Sequence, residues 1–168
     1  MPTLRMIRPI LGLAALLLVG CADDAVKPTG PVLPPRTLNQ LLSSPRSLEI
    51  SGRPFTVNVW LGRDFMPISS PEGGSLYGAV WLNSASPALL HSVSDVYVWV
   101  IRDHSEIWSS TVLYEYTDPQ LNGAQVYEVG GGPRWDTGIH VDVVVGVRAG
   151  GATVNYVLVP NVLIGRSE

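Results

Sequence analysis

Three histidines, His91, His104 and His140, are the only imidazoles in this 168-residue chain, and they bound any acid–base or metal chemistry it could perform. His140 and Asp142 stand two apart, a spacing that puts both side chains on one face of a strand. Such a couple could supply two metal ligands or a proton-transfer pair. The competing reading is a solvated strand face, because no third ligand accompanies them. Asp103-His104-Ser105-Glu106 follows a predicted strand, where loops of a sandwich carry recognition and a carboxylate can orient an imidazole. The same tetrapeptide fits a plain hairpin tip between Trp99 and Trp108. Nucleophile motifs are missing: Gly73-Gly74-Ser75-Leu76-Tyr77 breaks the Gly-x-Ser-x-Gly elbow at its last position. Gly130-Gly131-Gly132-Pro133-Arg134 lacks the Lys-Ser/Thr ending of a phosphate loop and reads as a hairpin approach. The expectation is a non-enzymatic chain with no catalytic residue and no metal site.

The one thiol, Cys21, has a more specific setting. Arg5 and Arg8 form a positive n-region, Ile10 to Val19 an apolar h-region, and small Gly20 precedes the cysteine, which is the layout of a secretory signal. A spanning helix needs roughly 20 apolar residues, and this run stops short at Ala22-Asp23-Asp24. Leu18-Val19-Gly20-Cys21 resembles the lipobox of bacterial lipoprotein precursors. The resemblance implies a diacylglyceryl group on Cys21, signal peptidase II recognising Leu18, Val19 and Gly20 and cutting before the cysteine, and acylation of the new amine. No cofactor other than this covalent lipid is expected. The implied address is the bacterial cell envelope, anchored to the membrane, with Ala22 after the cysteine favouring the outer membrane. An ordinary secretory peptide with an incidental cysteine is the alternative.

The chain carries 11 basic and 14 acidic residues, and losing residues 1–20 with Arg5 and Arg8 moves the side-chain charge from −3 to −5. Nucleic acid is therefore an unsuitable partner, since phosphate binding needs clustered cations, whereas Lys27 is the sole lysine and the arginines are scattered. With Cys21 acylated, the folded part has no disulfide and must be held by core burial.

Three segments follow: residues 1–20 as signal peptide, 21–36 as lipidated cysteine and tether, and 37–168 as one folded domain. Pro28, Pro31, Pro34 and Pro35 block helix in the tether and favour an extended path, reaching roughly 45 Å at about 3.1 Å per residue. Leu38, Leu41 and Leu42 fall at helical spacing behind Thr37, so residues 37–44 are either a short helix or an edge segment packed on the domain.

From Ser47 onward the pattern is β. Phe55, Val57, Val59 and Leu61 alternate with Thr56, Asn58 and Trp60, and Ile139 to Val147 alternates about His140, Asp142 and Val144. Further strands are expected at 47–51, 76–83, 95–102, 111–117, 124–129 and 152–159, with a short edge at 162–165. Turn signals at Gly52, Gly73-Gly74, Asp118-Pro119, Asn122-Gly123 and Gly150-Gly151 separate them. In Asp95 to Ile101 both parities are apolar, which predicts Val96, Val98 and Val100 in the core and Tyr97 and Trp99 under an additional segment. Seven to nine short strands without crossover helices predict an all-β fold, an antiparallel Ig-like sandwich, with a small β-barrel as the alternative. Gly132 to Gly138, Gly-Pro-Arg-Trp-Asp-Thr-Gly, is similar to a segment of uncharacterised bacterial lipoproteins with small sandwich domains. That resemblance implies fold and address and carries no activity.

For binding, the stretch Leu61 to Ile68 reads as a loop displaying Phe65, Met66 and Ile68, which either packs under the sandwich or forms a contact patch. Arg134 and Trp135 make a second candidate patch. The expected function is a tethered interaction or structural module contacting an envelope protein. A periplasmic protease inhibitor working through an exposed loop is one alternative, and a metal-binding or enzymatic domain using His140/Asp142 or Asp103/His104 is another.

Overall fold

A computed structural model describes residues 33–66 and 71–168. The lipobox residues Leu18, Val19, Gly20 and Cys21, most of the tether, and Ile68 lie outside the described residues. The chain folds as α1 (Leu38–Leu42), β1 (Leu48–Ile50), β2 (Arg53–Asp64), β3 (Leu76–Ser84), α2 (Pro87–Leu90), β4 (Val93–Arg102), β5 (Glu106–Thr111), β6 (Tyr114–Asp118), β7 (Ala124–Gly132), β8 (His140–Ala149) and β9 (Val154–Ser167), with a 3₁₀ turn at Pro119–Leu121.

The protein is all-β. Hydrogen bonding runs in the order β5-β4-β8-β9-β2-β3-β7-β6, with β1 paired to β2. One layer is β2-β3-β7-β6 and the other β5-β4-β8-β9, so β2, β3, β7 and β6 take the places of immunoglobulin strands A, B, E and D, and β5, β4, β8 and β9 those of C′, C, F and G. The expected pairing needs one correction. The sheet is mixed, because β2 and β9 run parallel from Leu61↔Ile164 to Asp64↔Ser167. That seam joins the two layers and closes their edges there, curling the sheet into a half-barrel, while β5 and β6 remain outer edges.

Strand lengths differ from the sequence expectation where long-range pairing intervenes. Gly62 to Asp64, expected as loop, continue β2: β3 still pairs with Gly62, and β9 supplies the partners of Arg63 and Asp64. The segment 111–117 divides into the end of β5 and β6, since the chain passes from one layer to the other at Val112-Leu113. The expected edge at 162–165 is part of one long β9 that crosses between layers.

The main core lies between the layers. Val96, Val98 and Val100 of β4 and Val141, Val143, Val145 and Val147 of β8 meet Leu61, Val80, Leu82, Tyr127 and Val129 of the opposite layer. The other parity of β4 has its own cover. Tyr97, Trp99, Ile101, Val144 and Leu158 form a second cluster with Leu41, and Leu33, Leu38 and Leu42 pack on it. The covering segment is a helix because Thr37 caps it: Gln40 N donates to Thr37 Oγ1 at 3.3 Å and Thr37 N donates to Gln40 Oε1 at 3.0 Å. The helix is held down further by Leu158 N donating to Pro45 O at 2.8 Å and by the Arg36 guanidinium 3.9 Å from the Tyr156 ring centroid. Among the described residues no helix is long and apolar enough to cross a membrane.

Candidate functional site

All the site residues expected from sequence and described by the structure fall at one end of the sandwich, where β2, β4, β7 and β9 finish and β8 begins. Arg63 organises this end. Its parity on β2 matches that of Leu61, so the side chain points inward over the end of the core, and it is only 5% exposed. Nε donates to Gly74 O at 2.9 Å, Nη1 to Trp135 O at 2.9 Å and Arg134 O at 3.3 Å, and Nη2 to Glu72 O. One planar fork thus ties the β2–β3 loop to the β7–β8 loop.

That clamp decides the fate of the expected contact patch. Phe65 is half-buried, its ring over Gly73 and flanked by Arg166 at 4.0 Å and Arg63 at 5.0 Å from the centroid. Gly73 has φ of 76°, and a Cβ there would come within 2.6 Å of the Phe65 ring, so this approach requires glycine. Met66 is exposed, its N–H donating to Asp64 Oδ1 at 2.9 Å. Arg134 is paired with Glu72 at 2.7 Å on the surface. Trp135 departs from the expectation of a surface patch. It is 8% exposed and belongs to the main core, with Arg102 stacked 5.0 Å from its centroid.

The two histidine candidates meet at the same end. His104 Nε2 lies 3.2 Å from Asp142 Oδ2, and Asp142 Oδ1 accepts from Asn161 N at 3.1 Å. Asp103, His104, His140, Asp142 and Asn161 line one cavity of about 260 Å³. Asp103 and His104 have φ of 49° and 51°, and Ser105 N donates to Arg102 O at 3.0 Å, the geometry of a primed hairpin turn. The register shift between Val141 and Val143 opposes Asp142 to the Pro160-Asn161 bulge, where Asn161 has φ of 59°. The pair therefore pins a turn of β4–β5 to a bulge of β9. Among the described residues no three His, Cys, Asp or Glu side chains stand close enough to share an ion.

The sandwich's two outer faces differ. The face of β4, β8 and β9 lies under α1, whereas no helix of the described residues packs in a core cluster on the outer face of β2-β3-β7-β6, where Val126 and Ala79 are nonetheless buried at 0% and 9% exposed. Register builds two rows across that open face. One is Asn58–Trp81–Val126–Tyr116 and the next Trp60–Ala79–Glu128–Tyr114. Trp60 is 40% exposed, Tyr116 47% and Tyr114 70%. The indole of Trp60 lies over Gly62, with the Tyr77 ring edge-on at 5.2 Å and 71°. Beside Trp81, a cavity of about 460 Å³ runs to the 3₁₀ turn, lined by Asn58, Asn83, Gln120 and Asn122. The hydroxyl of Tyr116 is held above its ordinary pKa by desolvation first, then by the Glu128 and Asp118 carboxylates and a hydrogen bond to Glu128. It remains a neutral hydroxyl at physiological pH.

Sequence reasoning missed these aromatics and Arg63. The signal available was large aromatic residues on the polar parity of strands, Trp60 between Asn58 and Gly62, and Tyr114 alternating with Tyr116. Comparison of the chain with protein-family models, with curated proteins and with solved structures finds no match.

Proposed function

We propose that this chain is a non-enzymatic binding module tethered to the bacterial envelope through a lipid on Cys21, and that it binds through the open face of β2, β3, β7 and β6. The observation that carries the binding half is the asymmetry of the outer faces. Apolar and aromatic residues on one side are sealed by Leu33 and α1, whereas Trp60, Tyr114 and Tyr116 on the other stay in solvent. Large aromatics left exposed on a rigid sheet are poor for solubility and well suited to recognition. The tethering half is supported by the lipobox resemblance and by the proline-rich composition between Cys21 and the domain, which suits a spacer.

Two experiments test it. Palmitate fed to cells labels the wild type and leaves Cys21→Ala unlabelled; equal labelling contradicts the anchor. Envelope fragments from cells lacking the protein, incubated with purified lipidated chain in detergent, sediment with several-fold more wild type than Trp60→Ala/Tyr116→Ala. Equal sedimentation contradicts the face.

A further inference from the structure

We infer that the open face binds a neutral glycan, an inference that rests on the binding-module reading of this same face and names its ligand class. A pyranose ring offers a flat patch of C–H groups with hydroxyls around its rim. A matching surface must present an aromatic plane, with groups at its edge that hydrogen-bond hydroxyls, and no cluster of cations that would select an anion instead.

Trp60 meets the first requirement by geometry. Its six-membered ring lies against Gly62 closely enough that a Cβ at that position would fall 2.7 Å from Cζ2 and Cη2. Gly62 pairs with Gly165 of β9, so backbone without side chains underlies the indole on both strands. One face of the ring is seated and the ring is still 40% exposed, leaving the other face as a fixed platform. Tyr116 lies one row along and three strands across; the small residues between them, Ala79 and Val126, are buried at 9% and 0% exposed, so the accessible surface there is that of the aromatic and polar side chains around them.

Asn58 and Asn83 beside Trp81, with Gln120 and Asn122 on the 3₁₀ turn, meet the second requirement. Each amide both donates and accepts, the complement of a hydroxyl. The Glu128 carboxylate adds an acceptor within the Trp60 row. Charge meets the third. Neither row contains Lys or Arg, and no Lys or Arg occurs anywhere between Asp103 and Pro133, so a phosphate, uronate or nucleic acid would find no counter-charge here.

Size argues for sugar over protein. Four strands at about 4.8 Å spacing, and the two rows with the Thr56–Asn83 pair as a third at about 6.8 Å, give a face roughly 14 Å by 14 Å. A stable protein interface occupies about 800 Å² per partner, several times that footprint. A few pyranose rings fit it.

The test titrates the lipidated chain, in micelles of a sugar-free detergent, with cellohexaose and chitohexaose, following tryptophan fluorescence and calorimetric heat. Polygalacturonate and an oligolysine peptide are parallel arms. We expect saturable binding of a neutral hexasaccharide, weakened at least ten-fold by Trp60→Ala and less by Trp60→Phe, with unchanged urea midpoints for the phenylalanine variant. Absence of saturation with both neutral sugars, binding undiminished by Trp60→Ala, or binding confined to the charged arms overturns the inference. If sugars fail while sedimentation on envelopes still depends on Trp60 and Tyr116, the ligand class alone is wrong. If both fail, the face is wrong.

Discussion

The indole of Trp60 rests on Gly62, two residues further along the same strand and on the same face, with no Cβ between ring and backbone. The side chain is thereby held flat at the surface without being buried, a combination that neither a core tryptophan nor a freely rotating one provides.

The first prediction concerns this contact. Gly62→Ala puts a methyl where the ring sits, and Trp60 must lift away. Crowding of this kind costs about 1–3 kcal/mol in a packed core and less at an exposed ring that can move. Gly62→Ala is expected to remain folded, with a urea midpoint near that of the wild type, while losing most of the affinity lost in Trp60→Ala. Wild-type affinity in Gly62→Ala would show that the seated ring is irrelevant.

Arg63 gives the second. Its fork serves four backbone carbonyls from two loops, and removing it strands those acceptors at a buried position. Arg63→Met should destabilise the protein by at least about 3 kcal/mol in urea unfolding. Arg63→Lys should recover less than half, since an ammonium cannot span the same acceptors. A loss below about 1 kcal/mol for Arg63→Met would mean the loops hold themselves.

Third, Leu41 closes the second cluster over Tyr97, Trp99 and Val144. Leu41→Ala should cost about 2–5 kcal/mol, and it should raise binding of a hydrophobic dye by loosening α1 from the sheet. An unchanged unfolding midpoint would argue that α1 is an ornament and the two outer faces are equivalent.

Fourth, burial, with the Glu115 carboxylate adding to it, pushes the Tyr127 hydroxyl up to about 12, above its ordinary value of 10.0. The folded state then holds the phenolic proton more tightly than the unfolded state. This contribution is fully present below pH 10 and is lost as pH rises through about 12. Urea midpoints should fall between pH 9 and pH 12, and Tyr127→Phe should flatten part of that fall. An identical pH profile in Tyr127→Phe would contradict the assignment.

Strand parity was legible in the sequence because burial repeats every second residue. Val96, Val98 and Val100 read as inward, with Tyr97 and Trp99 awaiting a cover, and the structure supplies that cover from Leu33 and α1. Arg63 was illegible for a physical reason. Its acceptors are main-chain carbonyls of loops whose positions depend on the fold, and a charged residue beside Asp64 reads as solvated. The loop expected from Leu61 failed similarly, since β2 extends to Asp64 only where β9 pairs with it. Trp60 and Tyr116 lie far apart in sequence, and only the register of β3 and β7 between them makes one face of the two. His104 and Asp142 were two separate candidates until the β4–β8 register brought the hairpin turn beside β8.

The most direct test of the central claim is site-specific photocrosslinking in intact cells, with benzoylphenylalanine introduced singly at Thr56 on the open face beside Trp81, at Met66 at the loop end, and at His91 at the opposite end. The label inserts into C–H bonds of sugar or protein alike. The account predicts a strong adduct from Thr56 that disappears when Trp60→Ala is added, and little from Met66 or His91. An adduct from Met66 alone, or one from Thr56 indifferent to Trp60→Ala, would contradict it.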